Sequence, residues 1–245
     1  MIQVGLIGYA GRMGQLIAQE IEKRDDCNLV GGVVENQQTN DKPKAGLLIT
    51  PDADKVIALS DVVIDFTIAS STPEFARKAA AQGKPFMSGT TGLSAEGMET
   101  LYQASKKIPL LYARNTSLSL AMMKRMVAYA AQLMADYDYD VAIYDEHHRM
   151  KKDFPSGTAK VLGEAVLQGN GGKKEPQYAS VHAGYFVGNH EVIFAGAGET
   201  IRLSHSVTDR SIFARGAVQA ALWLAQGRKP GLYGIDDVLG LPKIT

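Results

Sequence analysis

The chain has 245 residues, 45% hydrophobic and 21% charged, enough for one large α/β domain or two modest ones with real cores. Its 26 Lys+Arg and 26 Asp+Glu cancel, which argues against a general polyanion binder such as a nucleic-acid domain. The single cysteine, Cys27, excludes an internal disulfide framework and a Cys-rich zinc module. No apolar run approaches the ~18 residues a membrane helix needs. The opening Met-Ile-Gln-Val-Gly lacks the basic stretch of a signal peptide, so the chain reads as a soluble cytoplasmic protein.

In the first half, short apolar runs alternate with helix-period segments, the rhythm of parallel βαβ units. Val4–Ile7, Leu29–Val34, Val62–Phe66, Pro85–Met87 and Leu110–Ala113 read as buried strands. Met13, Leu16, Ile17 and Ile21 share one helical face, and Pro73–Gln82 and Ser94–Lys107 read as further helices, the first with Pro at its opening position. Asn115–Ser117 is a break. Leu118–Ala135 follows as a long helix whose Met122, Met126, Val127, Ala130, Leu133 and Met134 form a stripe expected in the core or at a subunit contact. Asp140–Tyr144, Tyr178–Ala183, Glu191–Phe194 and Thr200–His205 read as strands of an open sheet with one face needing cover. Ser211–Ala225 is an amphipathic helix ended by Gly227-Arg228-Lys229-Pro230-Gly231. The pattern predicts a nucleotide-binding α/β domain interrupted by a sheet-rich insertion.

The segment Gly8-Tyr9-Ala10-Gly11-Arg12-Met13-Gly14 follows a strand and opens a helix. A tight strand-to-helix turn, close approach of backbone to a diphosphate and close helix–sheet packing all exclude side chains, and the new helix offers free N–H groups and a positive dipole end. Ala10 stands where the usual fingerprint has its second glycine. Glu35, 21 positions after Gly14, sits at the end of the second strand, where a carboxylate accepts from adenosine ribose hydroxyls. It repels a 2′-phosphate, and Asn36-Gln37-Gln38 brings no cation to offset that, so NADH is favoured over NADPH unless Lys42 or Lys44 reaches back. Ser88-Gly89-Thr90-Thr91-Gly92 and Ala113-Arg114-Asn115-Thr116 lie at later strand ends, where small hydroxyl-rich loops can hydrogen-bond a carboxamide.

Residues 145–159 carry the most chemistry. Two of the five histidines, His147 and His148, stand beside Arg149, Lys151 and Lys152, and Pro155 leads into a Ser156-Gly157-Thr158 helix start. His147, His148 and Lys151 can supply protons or positive charge to an anionic substrate, while the helix start offers backbone donors to a carboxylate. No metal is expected, because neither Asp145 nor Asp153 makes a zinc spacing with the histidine pair. Ser156 lacks a nucleophile-elbow context and is read as a helix cap.

The run Glu146-His147-His148-Arg149-Met150-Lys151-Lys152-Asp153-Phe154-Pro155-Ser156-Gly157-Thr158-Ala159 resembles the signature of the dihydrodipicolinate reductase (4-hydroxy-tetrahydrodipicolinate reductase) family, with Asp145 where that family often has Glu. Arg12-Met13-Gly14, Asp65-Phe66-Thr67, Gly89-Thr90-Thr91-Gly92 and Gly216-Ala217-Val218 match it too, in order along nearly the whole chain. The resemblance implies a Rossmann-like parallel-sheet dinucleotide domain (1–117 and 215–245) with an inserted α+β mixed-sheet domain for substrate binding and oligomerisation (118–214), assembled as a homotetramer. It implies NAD(P)H-dependent reduction of a cyclic dicarboxylate in the diaminopimelate route to lysine. His147 would be the catalytic proton donor or acceptor, Lys151 the second proton donor and His148 a substrate contact, with the backbone of Gly157 and Thr158 on a substrate carboxylate. Gly8, Tyr9, Ala10, Gly11, Arg12, Met13, Glu35, Gly89, Thr90, Thr91, Ala113, Arg114, Asn115 and Thr116 would hold the dinucleotide. The chain departs from the family's pattern at His182–His190, where two charges are lost, and at Ala69, where many members carry Arg. Other readings are a different nicotinamide-dependent reductase of a small dicarboxylate or amino acid, or a non-catalytic NAD(H) sensor; neither requires the His-His-x-x-Lys to Ser-Gly-Thr block.

Overall fold

The computed structural model of the chain describes residues 1–35 and 46–240, which divide into two compact units, residues 1–116 with 211–240 and residues 117–210. The first unit runs β1 (Ile2–Ile7), α1 (Arg12–Glu22), β2 (Cys27–Val33), β3 (Leu48–Thr50), α2 (Ala53–Leu59), β4 (Val62–Asp65), α3 (Thr72–Ala81), β5 (Phe86–Ser88), α4 (Ala95–Ser105) and β6 (Pro109–Tyr112). It resumes with α7 (Ser211–Leu224), β11 (Gly231–Tyr233) and α8 (Ile235–Val238). Seven parallel strands stand in the order β11-β6-β5-β4-β1-β2-β3. Strand period 2 splits their side chains between two layers. Val62 and Ile64 join Ile17 and Ile21 of α1 and Ala217 and Val218 of α7, whereas Val63 joins Ile57, Ala76 and Leu101 from α2, α3 and α4. Side chains as fully buried as Ile64, Phe86 and Leu110 stabilise the unit by roughly 1.5–3 kcal/mol each. The chain winds away in opposite directions from β1, so the crevice for a ligand opens at the carboxyl ends of the strands beside it.

The five central strands match the sequence reading within a residue or two, and Ser94 caps α4 by accepting from Gly97 N at 3.1 Å. The pairs β3–α2 and β11–α8 were not anticipated. Three-residue strands are too short to show alternation, and only pairing to β2 and β6 makes them strands. Asp52 starts α2 by accepting from Asp54 N at 3.2 Å. Helix α3 opens on Thr72, which puts Pro73 second rather than first.

The second unit contains α5 (Leu118–Leu133), β7 (Asp140–His147), α6 (Gly157–Gly169), β8 (Gln177–His182), β9 (Gly188–Ala195) and β10 (Thr200–Val207). Its mixed sheet has the order β10-β9-β7-β8, with β7 and β8 parallel and the other pairs antiparallel. One face packs Val141, Ile143, Val192 and Phe194 under α5 and α6. The two helices touch at Gly169, where a Cβ would fall 2.0 Å from the Ala128 carbonyl oxygen. The buried stripe of α5 is Leu120, Met123, Val127, Ala128 and Ala131, while Met122, Met126 and Leu133 are exposed beside Tyr129. The expected stripe therefore divides: Val127, Ala130 and Met134 pack with the core, and Met122, Met126 and Leu133 do not. Apolar residues lie on both sides of this helix, and the face that meets the sheet is turned away from them. No helix among the described residues is long and apolar enough to cross a membrane.

Candidate active site

The first unit's candidate residues lie at the carboxyl edge of its sheet. Gly8 turns the chain with φ +87°, and the amides of Gly8 and Tyr9 both donate to Val33 O at the end of β2, at 3.2 and 3.1 Å. A Cβ on Gly8 would come 2.3 Å from Phe66 O, and one on Gly14 would come 2.1 Å from Gly8 O, so the turn itself demands both glycines. Gly11 starts α1 with no side-chain cap and no acid in the first turn, whereas α2, α4, α5 and α6 each begin on an Asp or Ser that accepts from a first-turn amide. Ala10, Gly11 and Arg12 are exposed around that uncapped end, and Tyr9 and Met13 pack their side chains against the core. Glu35 is exposed two residues beyond β2, beside this turn. Asn36, Gln37, Gln38, Lys42 and Lys44 lie outside the described residues.

At the end of β5, Gly89 is buried against the Phe66 ring, where a Cβ would meet Cζ at 2.1 Å. Thr90 is also buried. Its hydroxyl donates to Asp65 Oδ2 at 3.1 Å and accepts from Thr67 N at 3.0 Å. The expectation that this loop offers its hydroxyls outward is corrected for Ser88 and Thr90, whose oxygens serve Asp65; Thr91 is the exposed hydroxyl. At the end of β6, Ala113 N donates to Ser88 O at 3.0 Å and buried Thr116 donates to Phe213 O at 2.7 Å, leaving Arg114 exposed and Asn115 half-buried.

In the second unit His147 ends β7 and is buried. The strand register pairs it with His182, pairs Asp145 with His190 and pairs His190 with His205, so five titratable side chains share the helix-covered face. Ring centroids are 5.0 Å apart for His147 and His190, 5.9 Å for His147 and His182, and 6.5 Å for His190 and His205. Asp145 Oδ2 lies 3.5 Å from His147 Nδ1 and accepts from Ser156 N at 3.3 Å. Asp145 Oδ1 and Nδ1 of His147, His190 and His205 are buried with no hydrogen-bond partner among the described residues, so the cluster holds capacity for a ligand or water. Burial, then the Lys151 ammonium, pushes His147 below the usual imidazole range against the pull of Asp145. Burial carries His190 down to about 3. Burial alone would raise Asp145, but the Ser156 hydrogen bond, the neighbouring Ser180 hydroxyl and the facing imidazoles outweigh it and hold the carboxyl low. Asp145, His147 and His190 also bring one donor atom each within 4.8 Å of one another. This carboxylate–imidazole grouping recruits His190 from another strand, not His148 or Asp153, which is why local spacing did not reveal it.

His148 is half-buried just past β7, and the following turn is closed by Lys151 N donating to His148 O at 3.0 Å. The Lys151 ammonium grips Asp153 at 2.8 and 3.0 Å. Ser156 caps α6 by accepting from Ala159 N at 3.1 Å, as the sequence suggested, with Gly157 exposed and Thr158 half-buried in the first turn. Asp153 is held below the usual carboxylate range chiefly by the Lys151 hydrogen bond, against burial, with a backbone hydrogen bond at Gly157 assisting. The Lys151 ammonium thus holds one carboxylate in the turn that leads into α6.

Residues 2–116 match the family model described as dihydrodipicolinate reductase, N-terminus, and residues 119–239 match dihydrodipicolinate reductase, C-terminus. The chain belongs to the dihydrodipicolinate reductase family. The 4-hydroxy-tetrahydrodipicolinate reductase of Zymomonas mobilis subsp. mobilis is 40% identical over 258 residues, covering 98% of each chain. That of Nitratiruptor sp. is 37% identical over 259 residues, covering 98% of this chain and 100% of the relative. Among solved structures, the dipicolinate-bound dihydrodipicolinate reductase from Paenisporosarcina sp. TG-14 shares the fold with TM-score 0.81 at 19% identity, over 97% of this chain and 99% of that one. A scyllo-inositol dehydrogenase from Lactobacillus casei with bound NAD(H) is a more distant likeness, TM-score 0.63 at 14% identity, over 98% and 93% of the two chains.

Dihydrodipicolinate reductases use a nicotinamide cofactor, and the first unit's sheet edge fits one. The Gly8–Gly14 cradle has no room for side chains at two of its glycines, and the helix it opens leaves its end uncapped for a diphosphate. Of the site residues, Asp145, His182, His190 and His205 were not read from the sequence as members. The signal was present only as histidines and a carboxylate at alternating strand positions, which strand register must bring together. His182 is edge-on to His147.

Proposed function

We infer that the chain is an NAD(P)H-dependent oxidoreductase that reduces 4-hydroxy-tetrahydrodipicolinate to tetrahydrodipicolinate in the diaminopimelate route of lysine biosynthesis. The observation that carries the substrate side is the Lys151 ammonium, 2.8 Å from the Asp153 carboxylate, in the turn that leads into the start of α6. An ammonium and a helix start are the donors a dicarboxylate needs, and the ammonium already holds a carboxylate of the chain's own. On this reading the backbone of Gly157 and Thr158 holds one substrate carboxylate, His148 contacts the substrate, and Asp153 yields Lys151 when the ligand arrives.

Gly8, Tyr9, Ala10, Gly11, Arg12 and Met13 would cradle the diphosphate, Glu35 the adenosine ribose, and Gly89, Thr90, Thr91, Ala113, Arg114, Asn115 and Thr116 the nicotinamide end. The bound nicotinamide supplies the hydride. Lys151 is the proton donor for the ring that hydride addition leaves, with the 4-hydroxyl of the substrate departing as water. His147, kept neutral by burial, gains proton affinity when substrate carboxylates bring negative charge beside it, and so joins Lys151 in moving the proton. The Asp145 carboxylate, 3.5 Å from Nδ1, supports a proton on the ring.

Exposed Glu35 favours NADH over NADPH, because a ribose 2′-phosphate would face its carboxylate. Assembly as a homotetramer through the second unit is supported by the exposed Met122, Met126, Tyr129 and Leu133 along α5, an apolar strip of the kind that subunit contacts cover. Light scattering on the purified protein tests that assembly. The test of the function follows nicotinamide absorbance with substrate generated from pyruvate and aspartate semialdehyde by the preceding synthase, NADH and NADPH in parallel. Oxidation that requires the synthase product is expected; a folded protein that oxidises neither cofactor sinks the reading.

A further inference from the structure

We propose that Asp65 is a positioning residue for the nicotinamide cofactor: its buried carboxylate fixes, through the hydroxyls around it, the loop at the end of β5 that the cofactor binds. The proposal rests on the reading of the first unit's sheet edge as the cofactor site.

Asp65 ends β4 after Val62, Val63 and Ile64, and like them it is 0% exposed. A carboxylate is a costly replacement for a fourth apolar residue there, and burial indeed pushes its pKa up against every hydrogen bond it receives. Four hydroxyls converge on it. Thr67 donates to Oδ1 at 2.6 Å, while Thr72, Ser88 and Thr90 donate to Oδ2 at 2.7, 2.7 and 3.1 Å. With their protons directed at Asp65, two of the hydroxyls accept from the backbone. Thr90 Oγ1 accepts from Thr67 N at 3.0 Å, and Ser88 Oγ accepts from Thr90 N at 3.2 Å. Gly89 N adds a bond to Asp65 O at 3.0 Å, and the Phe66 ring lies against Gly89.

The ends of β4 and β5 and the start of α3 are thereby locked into one piece through one side chain. Thr91 and Gly92 project from that piece and are exposed, Gly92 with φ +82°. Asp65, Thr72 and Ser88 are all 0% exposed and cannot touch a cofactor, so any effect they have on its binding passes through the loop. Holding a binding loop in its bound geometry beforehand removes ordering cost from association.

The test uses the whole chain in three variants, Asp65→Asn, Thr72→Val and Thr72→Ser. NADH binding to the free protein is titrated by nucleotide fluorescence, and KM for each substrate, kcat and Tm are measured alongside. Asp65→Asn is expected to weaken NADH binding about tenfold or more, and Thr72→Val about threefold, with the dicarboxylate KM and kcat at saturating NADH within about twofold of wild type. Thr72→Ser, which keeps the hydroxyl, should bind NADH as wild type does. Variants that lower Tm yet bind NADH normally would overturn the proposal. If Asp65→Asn does not fold, the Thr72 pair decides alone: equal NADH affinity in Val and Ser rejects the positioning role. A wild-type protein that binds neither NADH nor NADPH removes the cofactor reading itself, an outcome distinct from normal wild-type binding with unaffected variants.

Discussion

Two buried aspartates, one in each unit, are satisfied in opposite ways. Asp65 is filled by four neutral hydroxyls, and burial still raises its pKa. Asp145 is just as buried but accepts one backbone N–H at 3.3 Å, keeps an unpaired oxygen, and faces imidazoles that help hold its pKa low. Saturated neutral donors make a rigid frame that has nothing left to exchange. An unfilled acceptor beside titratable rings makes a place where a ligand, a water or a proton can be taken up. The first arrangement suits a scaffold for a cofactor loop, the second a site for acid–base work.

The comparison is broken or sharpened by substitutions on the two sides. The largest effect is expected at Lys151. Lys151→Ala should lower kcat by about 10²–10⁴-fold while NADH affinity stays within about twofold, read from steady-state rates and a binding titration. Equal loss of both would mark misfolding and leave the second unit without its assigned role.

His190 comes next, through stability. Its folded pKa of about 3 lies below the unfolded value, so between those values the unfolded chain binds the proton that the folded chain refuses. Stability from this group is therefore complete above pH ~6.5 and is lost as pH falls, amounting to about 3 kcal/mol at pH 4. Denaturant unfolding of the second unit at pH 7, 6, 5 and 4 should show a shallower acid decline in His190→Gln than in wild type. Parallel curves would mean that His190 is protonated or solvated in the fold.

Asp145→Asn removes the charge that supports a proton on His147. We expect kcat to fall about tenfold and the His147-dependent limb of the pH–rate profile to move about one unit towards acid. An unmoved limb would separate Asp145 from the imidazole. The smallest change is expected at Glu35. Glu35→Ala should weaken NADH binding by about threefold to tenfold and leave NADPH equal or tighter, compared by kcat/KM for the two cofactors. Equal losses for both would place Glu35 away from the ribose.

Much of this was legible before the structure. The five central strands, the glycine turn and the block from His147 to Thr158 are local features, carried by residue type and short spacing. The helix role of Ser156 was equally readable, because an N-cap is decided within four residues. Strands β3 and β11 were not, since three residues show no period until a neighbour pairs with them. The stripe of α5 could be read only as core or subunit contact for a related reason: a helix that is apolar on several sides does not declare which side the sheet will cover.

By itself, then, the chain's sequence determined the order of the five central strands and the longer helices, the backbone shape of the Gly8–Gly14 turn and the placing of a His-His-x-x-Lys block before a Ser-capped helix. Only the tertiary structure decided that His182, His190 and His205 join His147, and that the Thr90 hydroxyl turns inward to Asp65. The physical reason is register: side chains from strands far apart in the chain meet through cross-strand pairing, and one residue of slip would send each to the opposite face.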